Sequence, residues 1–211
     1  MTCILCGSEK LSSQVVEKKT YFSCTLCDLI FLNPAERLSQ DLEKARYQQH
    51  ENNVLDSGYQ AFVAPLFMQI TKKVSKTARG LDYGSGKDSA ISYLLTQDGY
   101  QIRKFDPYFF VDGEALKQTY DYIVVCEVAE HFYDPKKEFE KLKALLNPGG
   151  FLFVMTSLTT PEINFVRWSY RRDSTHVCFY SEKTCTYLAQ RFEFRAVHVV
   201  LPNLIMFENP T

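Results

Sequence analysis

The segment GLDYGSGKDSA, residues 80–90, indicates how the rest of the chain folds. A short strand is expected to end at Asp82, and Gly84 and Gly86 then let the backbone turn tightly and approach a ligand without a Cβ in the way. A helix is expected to begin directly behind the glycines. A strand, a glycine turn and a helix in this order are typical of nucleotide-binding α/β folds. The segment therefore predicts a binding loop at the carboxyl edge of a parallel sheet.

Two classes of ligand use such a loop, the dinucleotides and S-adenosylmethionine, and the residues around the glycines separate them. A dinucleotide fingerprint, G-x-G-x-x-G, places a pyrophosphate on the helix N-terminus. Here the third glycine position is Ser89, and Asp88 would put a repelling carboxylate beside that pyrophosphate. S-adenosylmethionine has no phosphate, its sulfonium and amino groups tolerate acids, and Lys87 is within reach of its carboxylate. The loop therefore favours S-adenosylmethionine.

The same segment resembles the first motif of the class I S-adenosylmethionine-dependent methyltransferases, hydrophobic-D-x-G-x-G-x-G. The chain departs from this motif at the last glycine, where it has Asp88, a residue favoured as a helix N-cap. Later segments agree with the family in order and spacing: an acid after the second strand, CEVAEH at 126–131 and NPGG at 147–150. The resemblance covers residues 79 to about 157. It implies transfer of a methyl group to an O, N or C acceptor.

The resemblance also implies a fold, a doubly wound, Rossmann-like α/β sheet that is mostly parallel with an antiparallel last strand. Residues 193–200 and 204–207 are expected to form the closing antiparallel pair. Only residues 107–120 separate the second strand from the next, where the family usually fits a helix, a strand and a helix. We therefore expect the third strand to be reduced or missing, and backbone near Tyr108 to replace its contacts to adenine.

Residues that contact the cofactor are predicted at the ends of three strands. Asp106 ends the second strand, about 20 residues after the glycines, where an acid can accept hydrogen bonds from both ribose hydroxyls. The sequence Asp106-Pro107 is also typical of a plain turn, and both interpretations stay open. The predicted contacts are Asp82, Tyr83, Gly84, Ser85, Gly86, Lys87, Asp106, Pro107, Tyr108, Cys126 and Glu127.

Candidate catalytic residues are found in two places, directly after the predicted fourth strand and at the end of the loop that follows the fifth strand. Methyl transfer needs an aligned acceptor and, where the acceptor carries a proton, a base. His131 and His176 are the candidate bases, with Glu130 beside them, although each histidine could equally be a hydrogen-bonded structural residue. The motif E-x-x-E-H, residues 127–131, together with His176 resembles the divalent-metal site of the small-RNA 2′-O-methyltransferases. It also recurs in ubiquinone-biosynthesis O-methyltransferases, but it is frequent in the wider family without a metal, so a second metal is only a candidate here.

The loop at residues 156–176 is where the family usually builds the acceptor pocket. Arg167, Arg171 and Arg172 stand among aromatic residues there. A guanidinium group binds carboxylate or phosphate with two hydrogen bonds and stacks on flat rings, so this composition indicates an anionic or flat acceptor. The alternative is a solvated loop around one buried tryptophan.

Four cysteines near the start of the chain predict a zinc ribbon over residues 1–34. Cys3, Cys6, Cys24 and Cys27 form the pattern C-x2-C-x17-C-x2-C, and each C-x-x-C aims two thiolates at one tetrahedral centre. Four protein ligands leave no open position on the metal, so the expected role is structural. Chance spacing of buried thiols is the alternative, whereas two copies of the motif disfavour a redox pair.

Length and composition set the remaining limits. The chain has 211 residues, 45% of them hydrophobic, and a net charge of -1, which suits one domain with a small appendage and gives no basic field for nucleic acid or membrane. No apolar run approaches the ~20 residues that span a bilayer. We expect a cytoplasmic protein whose acceptor is a small molecule rather than nucleic acid.

The predicted domains are the ribbon, a linker at residues 35–56 and a methyltransferase domain at 57–211. The linker contains Tyr47 and His50, which either fold over the cofactor as a lid or belong to a solvated connector. A different class of function is a non-catalytic binding protein, in which the ribbon docks a partner and the α/β domain is a remnant. The intact acids at Asp82, Asp106 and Glu127 argue against it.

Overall fold

The structure is a computed structural model that describes residues 1–49 and 53–211. Its strands, in chain order, are β1 (Leu11–Val16), β2 (Lys19–Cys24), β3 (Ile30–Leu32), β4 (Arg79–Tyr83), β5 (Gln101–Phe105), β6 (Tyr120–Cys126), β7 (Leu146–Met155), β8 (Cys178–Phe179), β9 (Ala196–Leu201) and β10 (Leu204–Glu208). Its α-helices are α1 (Gln40–Gln48), α2 (Ser57–Lys73), α3 (Ala90–Gln97), α4 (Pro135–Ala144) and α5 (Glu182–Arg191). Short 3-10 turns lie at Pro34–Glu36, Ala115–Lys117, Ala129–His131 and Tyr170–Arg172.

A six-stranded sheet in the order β5-β4-β6-β7-β10-β9 forms the centre of the larger part of the chain. Strands β5, β4, β6 and β7 are parallel, and β10 pairs antiparallel with both β7 and β9. The predicted Rossmann-like sheet with an antiparallel last strand is confirmed. Between β5 and β6 every residue is described and none forms a further strand of the sheet, so β5 is an edge strand and the predicted loss of the third strand is confirmed.

Helices cover both faces of this sheet because successive side chains of each strand point to opposite sides. Tyr122 and Val124 of β6 pack in a cluster with apolar residues of α2 and α3. Ile123 and Val125 of the same strand belong to a second cluster that includes residues of α4 and α5. All four β6 side chains have 0% exposure, as expected for the central strand of a doubly wound sheet.

The N-cap of the helix behind the glycine loop lies one residue after Asp88, the residue that the sequence favours for this position. Ser89 is the N-cap of α3, and its hydroxyl oxygen accepts a hydrogen bond from the Ser92 amide at 3.2 Å. The same hydroxyl donates to Asp82 at 2.6 Å, a contact that the side chain one residue earlier does not make. The cap of α3 is therefore Ser89 rather than Asp88, and the helix begins at Ala90, as the sequence predicts.

The N-terminal residues form a second sheet in the order β1-β2-β3-β8. Strand β8 belongs to the later part of the chain and pairs antiparallel with β3, through Ile30 with Phe179 and Phe31 with Cys178. The apolar side chains of this ribbon sheet lie in the same buried cluster as those of α4 and α5. The sheet is therefore completed by the larger part of the chain and packs against it.

The helices described here include none that is both long enough and apolar enough to cross a membrane.

Helix α1 is a polar helix with one buried residue, Glu43. Ser39 begins it, with its hydroxyl oxygen facing the amide of Leu42 at 3.5 Å.

Candidate active site

A cavity of about 650 Å³ opens at the carboxyl ends of β4, β5 and β6. This is the edge of an open α/β sheet where ligands bind. The predicted residues that line it are Tyr47, Tyr83, Gly84, Ser85, Gly86, Lys87, Asp106, Pro107, Tyr108, Cys126, Glu127, Glu130, His131 and His176. Two predicted residues are not among them. Asp82 lies beneath the lining, and His50 lies outside the described residues.

The glycine loop has the backbone geometry that its sequence predicts. Gly84 and Gly86 have φ angles of 80° and 59°, in the left-handed region that favours glycine. The amides of Gly84 and Ser85 donate to the carbonyl of Phe105 at 2.8 and 3.1 Å, which joins the ends of β4 and β5. A Cβ on Gly84 would lie 2.6 Å from Val128, whereas a Cβ on Gly86 would meet nothing within 4 Å. Gly84 is therefore required by packing, and Gly86 faces open space.

Asp82 supports the loop from below. It is 2% exposed, and its Oδ2 accepts hydrogen bonds from the hydroxyls of Ser89 and Ser92, both at 2.6 Å. Burial raises the pKa of Asp82, and these two hydrogen bonds oppose that rise. The carboxyl group thus joins the end of β4 to the first turn of α3.

Asp106 organises the opposite side of the cavity. Its Oδ2 accepts a hydrogen bond from the amide of Gly86 at 2.9 Å. Its Oδ1 accepts from the amides of Tyr108 and Phe109 at 2.8 and 3.0 Å. The turn that was one interpretation of this sequence is therefore present, and the same carboxylate also lines the cavity. Each carboxylate oxygen can accept more than one hydrogen bond, so the turn leaves acceptor capacity for a ligand.

Helix α1 borders the cavity through Tyr47. Glu43 is buried and accepts hydrogen bonds from the hydroxyls of Tyr47 at 2.8 Å and Tyr108 at 3.1 Å. The Tyr47 ring meets the His131 ring edge to face, with centroids 5.3 Å apart. Sequence reasoning missed Glu43, because an acid in a charged helix looks like any solvated residue.

The turn after β6 brings Glu130 and two histidines together. Glu130 has 0% exposure, and its Oε2 accepts a hydrogen bond from the Thr156 hydroxyl at 2.9 Å. Its Oε1 lies 3.9 Å from Nε2 of His131 and 4.0 Å from Nε2 of His176. Within the described part of the chain, this Oε1 and the buried Oε1 of Glu127 have no hydrogen-bond partner. Buried carboxylate oxygens of this kind are rare unless a ligand or an ion satisfies them.

The two imidazole rings are held in one orientation by backbone carbonyls. Nδ1 of His131 lies 3.0 Å from the carbonyl oxygen of Thr175, and Nδ1 of His176 lies 2.7 Å from that of Tyr170. A carbonyl only accepts, so Nδ1 carries the proton in each neutral ring and Nε2 presents its lone pair toward Glu130. Burial lowers the pKa of His176, which favours this neutral form.

Glu127 and Glu130 are two neighbouring carboxyl groups in a buried position, and both have a raised pKa. Burial, followed by the charge of Glu130, raises the pKa of Glu127 to about 8. Burial also raises the pKa of Glu130. One ligand atom each from Glu130, His131 and His176 lies within 4.8 Å of the others, a spacing that could hold a metal ion. Of the predicted four-residue set, the structure thus brings three residues into one group, and the fourth, Glu127, is close enough for the charge of Glu130 to raise its pKa.

The arginines of the acceptor loop do not face the cavity. Arg171 is 3% exposed and donates to the carbonyls of Phe165 at 3.2 Å and Val166 at 3.0 Å. Neither Arg167 nor Arg172 is among the described residues that line the cavity. The expectation of an anionic acceptor, where it rested on these arginines, therefore has no support from their positions.

The four N-terminal cysteines converge on one point. The sulfur atoms of Cys3 and Cys27 are 3.5 Å apart, those of Cys6 and Cys24 are 3.4 Å apart, and all four lie within 4.8 Å of one another. Tetrahedral zinc with Zn–S bonds of about 2.3 Å places sulfurs roughly 3.8 Å apart, so the group fits this ion. The hydrogen bond between Cys3 and Cys27 lowers the pKa of Cys3 and raises that of Cys27, so it favours one thiolate in this pair.

The sequence profile of a family described as methyltransferase domain matches residues 36–199, which is most of the chain. A search of curated proteins found no match.

Several solved structures resemble the fold. One is 1,6-didemethyltoxoflavin-N1-methyltransferase of Burkholderia thailandensis with bound 1,6-didemethyltoxoflavin and S-adenosylhomocysteine, at 11% identity, 95% of this chain, 100% of that chain and a TM-score of 0.58. Magnesium protoporphyrin IX methyltransferase of Synechocystis PCC 6803, with bound S-adenosylhomocysteine, matches at 13% identity, 81% and 95% coverage and a TM-score of 0.56. A SAM-dependent methyltransferase of Archaeoglobus fulgidus matches at 16% identity, 75% coverage of both chains and a TM-score of 0.52. The family match over residues 36–199 shows that the chain belongs to the methyltransferase-domain family, and the solved structures share its fold.

Proposed function

We propose that this methyltransferase moves the methyl group of S-adenosylmethionine to an O, N or C atom of a small molecule that binds beside His131 and His176. The observation that carries the proposal is the convergence of the glycine loop, Asp106 and the Glu127–His131 turn on one cavity of about 650 Å³. Pockets of this size suit small molecules and cofactors. The relative with bound 1,6-didemethyltoxoflavin is similar in fold and carries a small organic molecule, which supports a small-molecule acceptor here.

The chemistry requires alignment more than electrostatic machinery. The acceptor attacks the sulfonium methyl in line, and the positive charge on sulfur disappears as the new bond forms. The protein therefore needs to hold the nucleophile about 3 Å from the methyl carbon and to remove its proton where it has one. A neutral His176, which lines the cavity and carries its lone pair on Nε2, suits the role of base.

Binding of S-adenosylhomocysteine by calorimetry tests the cofactor assignment. We expect saturable one-to-one binding of this ligand and no heat with NAD, because Asp88 disfavours a pyrophosphate at the start of α3. Binding of NAD alone would contradict the proposal. A methyl-transfer screen over small-molecule and RNA pools would then identify the acceptor.

A second candidate is metal-assisted O-methyl transfer. It is favoured by Oε1 of Glu130, which has no hydrogen-bond partner among the described residues and lies beside two imidazole Nε2 atoms. Carboxylate and imidazole ligands suit Mg²⁺, Mn²⁺ or a related ion. Such an ion, when bound, would orient an acceptor hydroxyl and lower its pKa. Glu130, His131 and His176 would hold it, with Glu127 beside them.

Manganese binding followed by electron paramagnetic resonance tests this candidate. The expected affinity rises with pH, because burial raises the pKa of Glu130 and the ion requires its carboxylate form. Glu130→Gln and His176→Gln should abolish binding, whereas His198→Gln, on β9, should not change it. Binding that survives Glu130→Gln would exclude this site.

We also propose one structural zinc ion on Cys3, Cys6, Cys24 and Cys27, supported by the spacing of the four sulfur atoms. The ion would leave no open position, so it takes no part in the chemistry.

A further inference from the structure

Backbone hydrogen bonds of Val177 connect the ribbon sheet to the candidate active site. Val177 donates its amide proton to the carbonyl of Glu130 at 2.8 Å and accepts a hydrogen bond from the amide of Leu32 at 2.9 Å. Leu32 is the last residue of β3, and Val177 follows His176 directly. The residue directly before β8 therefore joins the ribbon sheet to the turn that carries Glu130.

A buried arginine makes a second connection. The Arg171 side chain is 2% exposed and pairs with Glu17, in the turn between β1 and β2, at 3.1 Å. Its guanidinium lies over the Tyr21 ring of β2 at 5.8 Å while it donates to the carbonyls of Phe165 and Val166. A buried guanidinium with several partners fixes the backbone around it, because its loss leaves those carbonyls unpaired.

Aromatic rings form a third connection, from the ribbon to a site histidine. The Tyr21 ring meets Phe165 at 5.2 Å between centroids, and Phe165 meets Trp168 at 6.3 Å. Trp168 meets Tyr170 at 5.1 Å, and Tyr170 meets His176 at 4.3 Å. The ring contacts therefore run without a break from β2 to the cavity.

We propose that the ribbon is a positioning element of the active site, so that metal on its four cysteines sets where residues 165–177 place His176 against Glu130. Four-coordinate metal fixes the two C-x-x-C turns and hence the attached ends of β2 and β3. The three connections transmit that order to the acceptor side of the cavity. The cofactor side, built by β4 and β5, makes none of them. The inference rests on the proposed function in assigning His176 to the acceptor side, and on the proposed zinc ion of the ribbon.

The chain contains a fluorescent residue that reports on the order of residues 165–177. Trp168 is its one tryptophan, and it lies in the middle of the ring contacts. Removal of zinc from the full-length protein with a chelator should shift the Trp168 emission to longer wavelength and increase its quenching by acrylamide. The chain has four histidines, which can be labelled with ¹⁵N for magnetic resonance. After zinc removal, the His176 signals should lose the pattern of an Nδ1-protonated ring, whereas the His198 signals should not change.

Variants separate this effect from loss of the fold. Arg171→Gln should produce the same Trp168 and His176 changes while zinc content stays at the wild-type level, and Arg171→Lys should restore part of the signal because it keeps the charge. Arg172→Gln, at the exposed neighbouring position, is the matched control and should change neither signal.

Affinity for S-adenosylhomocysteine decides between the outcomes. Retained affinity together with the Trp168 and His176 changes supports the inference. Unchanged Trp168 and His176 signals after zinc loss overturn it, as does parallel loss of ligand binding and circular dichroism, since the ribbon would then hold the whole fold. If the zinc-loaded wild type does not bind the ligand, the proposed function fails, and the Trp168 and His176 signals still judge the inference.

Discussion

The Asp106 carboxylate accepts three backbone hydrogen bonds, from Gly86, Tyr108 and Phe109. Replacement by alanine would remove all three, so weaker ligand binding by that variant would not identify a direct contact. A contact to ribose has to be measured by changing the ligand as well as the protein.

A double-mutant cycle provides that measurement. Wild type should bind S-adenosylhomocysteine about tenfold or more tightly than its 2′,3′-dideoxy analogue, since a hydrogen bond to a charged group contributes about 1.5–3 kcal/mol. Asp106→Asn should weaken binding of the normal ligand but discriminate less between the two. Asp98→Asn, whose carboxylate pairs with Lys76 at 2.9 Å, is the control and should behave as wild type. Equal discrimination by all three proteins would show that Asp106 only shapes the turn.

At the residue level, the sequence predicted most of the cavity lining because motif side chains follow strand ends, where a parallel sheet brings them together. It did not predict that Arg171 would be buried and paired with Glu17, because that contact depends on how two distant segments pack. The sequence did not predict the buried position of Glu43 for the same reason, since its partner Tyr108 lies on the loop after β5.

At the level of elements, the glycine loop meets two different demands. Gly84 must pass Val128 closely, while Gly86 faces open space within the cavity. Both have positive φ, which costs a residue with a Cβ about 1–2 kcal/mol.

Alanine substitution should separate these demands. Gly84→Ala should lower the free energy of unfolding by roughly 2–5 kcal/mol, from backbone strain and the clash with Val128 together. Gly86→Ala should lower it by only about 1–2 kcal/mol, yet weaken binding of S-adenosylhomocysteine, because its methyl group would occupy the ligand's space. Urea unfolding followed by circular dichroism, with calorimetry of the ligand, measures both. A Gly86→Ala protein with unchanged affinity would argue against the loop as the cofactor cradle.

The length of the connection between β5 and β6 predicted the missing third strand better than the composition of that connection did. Residues 107–120 were too few for a helix, a strand and a helix, and the third strand is indeed missing between β5 and β6. Strand β8, by contrast, has only two residues and no periodic pattern. Its pairing with β3 arises from tertiary packing, so no local signal in the sequence predicts it.

At the scale of the whole molecule, the ribbon should carry one zinc ion per chain. Elemental analysis after dialysis should find one zinc in the wild type and a loss of zinc in Cys24→Ser. Cys185→Ser, a buried cysteine of α5 outside the cluster, should retain the metal. Chelation should also lower the free energy of unfolding of the chain, because ribbon residues share a core with α4 and α5. A zinc-free protein with an ordered ribbon would contradict this prediction.

The pairing of β3 with β8 also affects how the protein is made. A ribosome releases residues 1–34 first, but the strand that covers the edge of β3 follows only after most of the chain has been synthesised. Until then the nascent N-terminus presents an open, apolar strand edge of the kind that promotes aggregation. Closure of so long a loop makes folding slow relative to a chain with local contacts. The early ribbon therefore depends on late residues, and chains that stop before residue 178 leave the ribosome with that edge uncovered.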